Sequence, residues 1–327
     1  DVFGEGSGIA GIFSLINPQP FTRPVSEYAH TGEEGEEEED EGFEAEEYYT
    51  HGLYIQEQVS LNKWKLLASL RQEFYRSTDE NKIKQNVLLP RIGLVYAATE
   101  KLSLYATYNK GFDPFEPSAS FQIFNDPFKP IYSEMFEAGA KADLFKKRLF
   151  ATMSVYQVTL NNVALNANDP ANPYLYVQRG QERARGFEAE VAGNILPNLS
   201  LSLSYAYNVA KISKSDKPGE EGSIKENAPR HTSGSRIKYI FSKGFLKGFG
   251  IAAGHSQVSK RNTLDADILL PAYFIFNAGV QYSLNNFSIA VNVNNIANTT
   301  YWAAAYNNVN KWPGAPRNYM LRVGYRF

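Results

Sequence analysis

The sequence has no cysteine among its 327 residues, only four histidines, and a formal net charge of −2. Without cysteine, neither a disulfide framework nor a thiolate metal site can form. His30, His51, His231 and His255 are far apart in the sequence, which is typical of ordinary strand or loop histidines and argues against a zinc enzyme. The small net charge gives no basic footprint for nucleic acid. We therefore expect no metal site, no cofactor and no nucleic-acid partner.

The sequence also lacks a run of about 18 apolar residues, which excludes a transmembrane helix, and its mean hydropathy is −0.38. That value is compatible with a membrane β-barrel, because only every second residue of a barrel strand faces lipid. The motifs G-x-S-x-G, H-E-x-x-H, the P-loop and a G-x-G-x-x-G that opens a helix are all missing, so we predict no enzyme. No signal peptide precedes Asp1, and we expect a mature product, a fragment or the ordered remainder of something longer.

Aromatic residues, by contrast, are abundant: they make up 14% of the chain, with 21 Tyr and 21 Phe. Outer-membrane barrels carry aromatic girdles at both interfaces, which would account for the excess. From Tyr319 to Phe327 the chain is apolar or aromatic at every second position and mostly polar or small between. This period of two predicts a strand with one apolar face and one wet face. We interpret Tyr325 and Phe327 as the C-terminal signature of a strand that closes a barrel in an outer membrane.

Alternation of this kind recurs along the chain and predicts about thirteen strands. They lie near 47–60, 64–76, 87–99, 102–112, 131–144, 148–163, 182–194, 199–213, 229–241, 247–259, 271–283, 286–295 and 316–327. Many have about 10 residues or more, the length that a tilted membrane-spanning strand needs. Short and long connections alternate, as periplasmic turns and extracellular loops do in such barrels. We therefore predict an all-β, antiparallel transmembrane β-barrel with its C-terminus at the periplasmic rim.

The odd strand count conflicts with the even number that a single-chain bacterial barrel normally has. We divide the chain into residues 47–327, the C-terminal barrel strands, and residues 1–46, an extracellular loop region that holds at most part of one strand. Residues 33–47 are almost wholly acidic. A block of like charges is usually solvated and disordered, and a cation-attracting patch on an extracellular loop is the alternative.

Five stretches resemble a known family. They are SEMFEAGAKADLFKKRLFATMSVYQVTLNNV from Ser133, YVQRGQERARGFEAEVAGNILPNLSLSLSYAYNVAKI from Tyr176, NAPRHTSGSRIKY from Asn227, NVNNIANTTYW from Asn292 and GAPRNYMLRVGYRF from Gly314. In that order and spacing, residues from about 47 to 327 resemble the C-terminal half of a TonB-dependent outer-membrane receptor. The likeness is strongest to the ferrichrome and hydroxamate siderophore receptors. The segment YNKGFDPFEPSASF from Tyr108 also resembles the strand-to-loop passage of that subfamily.

The resemblance implies a barrel of about 22 strands, plugged by an N-terminal globular domain, which imports a ferric siderophore from outside the cell. A segment before the plug would grip TonB, the protein that transmits energy from the proton gradient of the inner membrane. The plug, that segment and roughly the first nine strands would be missing from this chain. Iron would enter only as the siderophore complex, with no resident cofactor, and we expect a monomeric barrel.

The resemblance also implies where the ligand binds, since these receptors use aromatic residues of the extracellular loops and upper lumen. Such rings offer stiff apolar area with a polar handle to an iron chelate. By its position in the last loop, Tyr306 matches a ligand-contacting aromatic, and Trp312 lies near the same wall. The weaker candidates are Phe112, Phe115, Phe121, Tyr174 and Tyr176. For every one of them, interfacial or loop packing is the alternative.

Two arginines are predicted to contact lipid. Arg183 and Arg185 share the register of Phe187 and Val191, whose side chains we expect to face outward. An outward arginine costs about 2–4 kcal/mol at the bilayer midplane but little at the interface. We therefore place both at headgroup level, where they meet lipopolysaccharide phosphates.

Several alternatives to siderophore import stay open. A receptor of the same family could import another nutrient, such as cobalamin, a glycan or a peptide. A passive porin would carry charged constriction residues on an inward loop, and a barrel-embedded hydrolase would need an exposed Ser–His pair on its lipid face.

Overall fold

A computed structural model describes residues 48–77, 84–114, 122–123, 129–166, 175–215, 218–263, 268–305 and 311–327. At residues 122–123, 165–166, 175–177 and 179 the description covers the backbone alone. The regular elements of these ranges are all β-strands, and they belong to one unit of the chain, Glu47–Phe327. No helix among the described residues has the length and apolarity to cross a membrane.

One antiparallel sheet dominates the described structure. The strands are β1 (Tyr48–Leu61), β2 (Trp64–Ser77), β3 (Lys84–Thr99), β4 (Leu102–Asp113), β5 (Gln122–Ile123), β6 (Ile131–Leu144), β7 (Leu149–Asn166), β8 (Leu175–Leu196), β9 (Leu199–Lys214), β10 (His231–Ile240), β11 (Phe249–Val258), β12 (Arg261–Asn262), β13 (Leu269–Leu270), β14 (Tyr273–Leu284), β15 (Phe287–Asn294), β16 (Trp302–Ala305), β17 (Lys311–Pro313) and β18 (Asn318–Tyr325). The sheet runs β1-β2-β3-β4-β6-β7-β8-β9-β10-β11-β14-β15-β18, with β5 parallel to β8, while β12–β13 and β16–β17 form separate pairs. The predicted thirteen-strand antiparallel architecture is confirmed.

The two rims of the sheet differ in the length of their connections. Five connections of two to four residues lie on one rim, at 62–63, 100–101, 145–148, 197–198 and 285–286, together with the longer connection 241–248. We call it the short-turn rim, and the opposite edge, where the other connections lie, the long-loop rim. Asn62 and Asn285 occupy the left-handed region at two of the tight turns, with φ of 53° and 51°. Asparagine tolerates that conformation because its short polar side chain bonds locally.

The sheet is curved, and its two faces carry different residues. Tyr105 on β4, Glu188 on β8 and Ser256 on β11 line one cavity. Strands this far apart can share a cavity only if the sheet bends around it, since neighbouring strands are about 4.8 Å apart. That concave face, the inner face, is rich in Ser, Asn, Gly and Glu. The convex outer face carries Leu, Val, Ile and aromatic side chains, many of them exposed.

Aromatic residues of the outer face form two belts. The upper belt, toward the long-loop rim, includes Tyr108–Phe136 (centroids 4.8 Å apart), Phe187–Tyr205 (6.5 Å), Tyr207–His231 (5.1 Å) and Phe274–Phe276 (4.6 Å). The lower belt, toward the short-turn rim, includes Trp64–Tyr96 (4.6 Å), Tyr239–Phe241 (4.9 Å), Phe287–Tyr325 (5.4 Å) and Tyr325–Phe327 (5.2 Å).

The spacing of the belts fits a bilayer. On β14, Phe274 belongs to the upper belt, and Tyr282 pairs with Phe249 at the lower level. A tilted strand of this length rises about 20 Å along the barrel axis, close to the roughly 25 Å apolar band of outer-membrane barrels. A soluble protein would seldom leave an apolar face of this extent uncovered.

Candidate functional site

The inner face forms a polar cleft of about 510 Å³ across β4 to β11. The Tyr105 hydroxyl donates a hydrogen bond of 2.6 Å to Glu137 Oε1. Lys141 Nζ lies 5.1 Å from the centroid of the Tyr105 ring. Glu188 and Glu190 line the same cleft, so carboxylates outnumber ammonium groups there. A wall of this kind can bind a polar or cationic surface that fills the lumen.

Two glycines let tyrosines lie flat against this wall. A Cβ at Gly139 would be 2.7 Å from Tyr105 Cε1, and one at Gly186 would be 2.5 Å from Tyr156 Cζ. Only glycine leaves room for rings that close to the backbone. Gly186 belongs to the stretch from Tyr176 that carried part of the resemblance, and it has a structural role here because it accommodates Tyr156.

At the long-loop rim, Lys225 ties the β9–β10 connection to β8. Its Nζ lies 2.5 Å from Glu182 Oε1 and 3.0 Å from Glu226 Oε1. Burial lowers the pKa of Lys225, but the hydrogen bonds and charges of Glu182 and Glu226 outweigh burial, and the net pKa is raised. Lys225 is therefore fully charged at neutral pH and holds both carboxylates.

The last long connection contains the hairpin β16–β17. Lys311 Nζ lies 5.7 Å from the centroid of the Trp302 ring, and the Trp312 residue keeps 47% of its surface exposed. At the base of this connection, the Asn295 amide donates to the Thr299 and Ala315 carbonyls at 2.8 and 3.1 Å. The hairpin thus presents one tryptophan on a stem that is fixed at its base.

The predicted ligand-binding aromatics are placed only in part. Trp312 lies in β17 at the long-loop rim. Phe112 pairs with Tyr132 and shares the register of Tyr108, so it belongs to the outer face and not to the lumen wall. The backbone of Tyr176 pairs with Ile123 and Asn166, while its side chain lies outside the described residues. Tyr306, Phe115, Phe121 and Tyr174 also lie outside the described residues. A shared site for these residues stays a prediction.

Arg183 and Arg185 lie on the outer face, in register with Phe187. Arg185 Nε donates to Gln157 Oε1 at 2.7 Å, and Arg183 Nη2 donates to Gln181 Oε1 at 3.2 Å. Tyr325 and Phe327 lie in the lower belt, where their rings meet edge to face. The terminal aromatic pair therefore lies at the short-turn rim.

Sequence reasoning missed Arg261 and Asn227, which contact the backbone of β16. Asn227 begins the NAPRHT stretch, but nothing in that stretch identified its partner. Arg261 follows β11 in a segment without period-two alternation, so no sequence pattern marked it. Among the described residues, no group of three or more His, Asp or Glu side chains is placed to hold a metal ion.

Comparison with known proteins gives the family. The sequence model of the TonB-dependent receptor-like β-barrel matches residues 17–296. The chain belongs to the TonB-dependent receptor family, whose members are outer-membrane β-barrel proteins. It is 33% identical over 296 residues to the metal-pseudopaline receptor CntO of Pseudomonas aeruginosa strain UCBPP-PA14, covering 85% of this chain and 41% of that receptor. It is 29% identical over 298 residues to the ferrioxamine receptor of Yersinia enterocolitica, covering 86% of this chain and 40% of that receptor.

Solved structures agree on the fold. The ferripyoverdine receptor of Pseudomonas aeruginosa superposes with a TM-score of 0.74 at 21% identity, covering 86% of this chain and 39% of that one. The ferric preacinetobactin receptor BauA of Acinetobacter baumannii gives 0.72 at 23% identity, covering 85% of this chain and 42% of that one. The chain spans about two fifths of the length of the curated relatives it matches. The resemblance to this family and the barrel architecture are thereby confirmed.

Proposed function

We propose that this chain forms part of the barrel wall of a TonB-coupled importer, and that the importer carries a ferric siderophore of hydroxamate type. The observation that carries the proposal is that several of the matched relatives are named for metal-chelate ligands, including ferrioxamine receptors of two organisms. The family match favours a receptor over a passive porin. Iron is cargo here, carried within the siderophore, and the protein uses no resident cofactor.

A second ligand class has support of its own. The metal-pseudopaline receptor is more similar to this chain, at 33% identity, than the ferrioxamine receptor of Yersinia enterocolitica, at 29%. A metal complex of a pseudopaline-type chelator is therefore the alternative cargo. Cobalamin, glycan and peptide import have no comparable support among these relatives.

The site that we propose lies at the long-loop rim, around the last loop. Trp312 supplies exposed aromatic area, and Tyr306 follows β16 in the same loop. An iron chelate with apolar faces and carbonyl groups would stack on such rings, and their hydroxyl and indole groups would donate hydrogen bonds to it. The polar inner face below would contact the plug that the family resemblance implies.

The experiment is calorimetry on the intact receptor in detergent, with ferrichrome, ferrioxamine B and a metal–pseudopaline complex as ligands. We expect the two ferric hydroxamates to bind, and we expect the Tyr306→Ala substitution to lower their affinity. Binding of the metal–pseudopaline complex alone would replace the hydroxamate proposal with the second one. Binding of none of the three would refute both ligand proposals.

The orientation of the barrel follows from its rims. In outer-membrane barrels the long loops are extracellular and the short turns periplasmic. Tyr325 pairs with Phe287, directly after the 285–286 turn, so we propose that the C-terminus is periplasmic. An epitope appended after Phe327 should be protected in intact cells and labelled only after the outer membrane is permeabilised.

Lipopolysaccharide is the proposed lipid partner. Five residues of neighbouring strands pair one after another and so lie at one level of the sheet. They are Lys110, Glu134, Thr159, Arg183 and Lys211. This basic row lies two residues above the Tyr108–Phe136 level of the upper belt. A row just outside the aromatic belt lies at headgroup depth, where cations meet lipid phosphates. Arg185 lies at the belt level itself.

A further inference from the structure

The hairpin β16–β17 is separate from the main sheet. Its two strands pair with each other, and neither is on the path that joins β1 to β18. A two-stranded hairpin alone is at best marginally stable in water. Contacts from other loops must therefore hold it, and two side chains make such contacts.

Arg261, at the start of β12, is the first. It is 4% exposed, and its Nη2 donates hydrogen bonds of 2.6 Å to both the Trp302 and Ala303 carbonyls. Its guanidinium also lies 5.5 Å from the centroid of the Tyr273 ring. The Tyr273 ring in turn packs 4.4 Å from that of Tyr301, the residue before β16. Charge-assisted bonds from a buried guanidinium are among the stronger hydrogen bonds in proteins.

Asn227, in the β9–β10 connection, is the second. Its Nδ2 donates to the Ala305 carbonyl at 2.9 Å, and its Oδ1 accepts from the Ala305 amide at 3.2 Å. The side chain thus pairs with β16 as a neighbouring strand would. The backbone N–H of Asn227 donates a hydrogen bond to the backbone carbonyl of Asn262 at 2.9 Å, which links this connection to β12 as well.

The junction of the three connections is closely packed. Ala305 is fully buried and Leu270 of β13 is 2% exposed. Thr263 Oγ1 donates to the Ile268 carbonyl at 3.1 Å and fixes the β12–β13 pair. Packing and hydrogen bonds thus coincide where the described parts of the connections after β9, β11 and β15 meet.

We infer that Arg261 and Asn227 are positioning residues that join these three connections and pre-order the hairpin on which the ligand binds. This rests on the proposed function, because the hairpin carries Trp312 and flanks Tyr306. Pre-ordering lowers the entropic cost of binding. Its loss therefore weakens affinity without touching any group that contacts the ligand, and the change appears mainly in the dissociation rate.

The test compares four variants of the intact receptor in detergent. Arg261→Met removes both carbonyl contacts, and Asn227→Ala removes the paired bonds to Ala305 with a smaller change in volume. Arg317→Met is the matched control, since exposed Arg317 donates to the Ile296 carbonyl within its own connection. Arg261→Lys tests whether a single ammonium restores part of the effect.

The first readout is amide hydrogen exchange of residues 302–305 and 311–312 without ligand. We expect exchange to speed up by about tenfold in Arg261→Met and Asn227→Ala, since each loses two hydrogen bonds, and to stay unchanged in Arg317→Met. The second readout is the dissociation rate of the ferric siderophore, which should rise about tenfold in the same two variants. The thermal unfolding midpoint of the barrel should not change, because its thirteen-strand sheet is untouched.

The outcomes separate this inference from the proposed function. Unchanged hydrogen exchange in both Arg261→Met and Asn227→Ala would contradict the inference that these side chains join the three connections. Faster exchange with unchanged siderophore dissociation would overturn the positioning role. If the wild-type receptor binds none of the chelates, the proposed function fails, whereas the exchange data still decide whether Arg261 and Asn227 join the loops.

Discussion

The short-turn rim and the long-loop rim are stabilised by different interactions. At the short-turn rim, tight turns with left-handed Asn62 and Asn285 close neighbouring strands, and the lower aromatic belt lies beside them. At the long-loop rim, side chains such as Arg261 and Lys225 reach backbone or carboxylate groups far away in the sequence. Local geometry therefore determines the structure of the short-turn rim, while long-range side-chain contacts determine the structure of the long-loop rim.

The largest expected effect comes from replacing one tryptophan at each rim with alanine. Trp312 and Trp64 are 47% and 48% exposed, which makes them matched controls for each other. Trp312→Ala should weaken siderophore binding about 10- to 100-fold, as loss of a central aromatic anchor does. Trp64→Ala should leave binding unchanged and lower the free energy of unfolding by about 1–2 kcal/mol, since the lower belt loses a ring.

Calorimetry and urea unfolding in lipid vesicles measure these two quantities. Equal effects of both substitutions on binding would remove the distinction between the rims and withdraw Trp312 from the site.

The turn at 285–286 offers the next largest effect. Asn285→Val places a β-branched residue at a φ of 51°, which costs about 1–2 kcal/mol of stability. Asn286→Val, at the other position of the same turn, is the control and should cost less. Siderophore affinity should be the same in both variants, because the turn lies at the rim opposite the site.

The ion pair of Lys225 should have a smaller effect. Lys225→Met should lower stability by about 1 kcal/mol or less, because the Lys225 side chain is 31% exposed and solvent screens the pair. Its folded pKa is raised, so its contribution is complete below the unfolded value of about 10.5 and is lost only as pH rises through the higher folded value. Amide exchange in residues 218–230, measured at neutral pH and above pH 10.5, should show the difference from wild type shrinking at high pH.

The smallest effect concerns lipid. The double substitution Arg183→Gln with Arg185→Gln should reduce the lipopolysaccharide that copurifies with the receptor, because it removes one cation at the headgroup level and one at the belt level just below it. Arg236→Gln, on the inner face at the polar wall, should not. Unchanged lipopolysaccharide in the double variant would contradict the proposed lipid contact.

The sequence predicted the barrel wall well because period-two alternation is a local property. Every predicted strand end lies within about three residues of the observed one except the start of β8, at Leu175 and not near 182. Residues 175–181 extend that strand by pairing with β7 across bulges, and polar residues such as Gln178 and Gln181 give no apolar periodicity there.

The loop strands and the candidate site were beyond the reach of the sequence pattern. The strands β5, β12, β13, β16 and β17 have two to four residues each, too few to show a period. Arg261 bonds to Trp302 across 41 residues, and no local rule connects positions that distant. The outer-face position of Phe112 follows from the register of β4, which the loop resemblance did not consider.

Uptake of iron-labelled ferrichrome and ferrioxamine B by iron-limited cells tests the central claim most directly. The cells lack the chromosomal gene and carry it on a plasmid, and uptake is measured with and without a proton-gradient uncoupler. TonB-coupled import predicts uptake that needs the gene and stops with the uncoupler. Gene-dependent uptake that continues at the same rate with the uncoupler would contradict active import, and uptake without any gene dependence would contradict the receptor function itself.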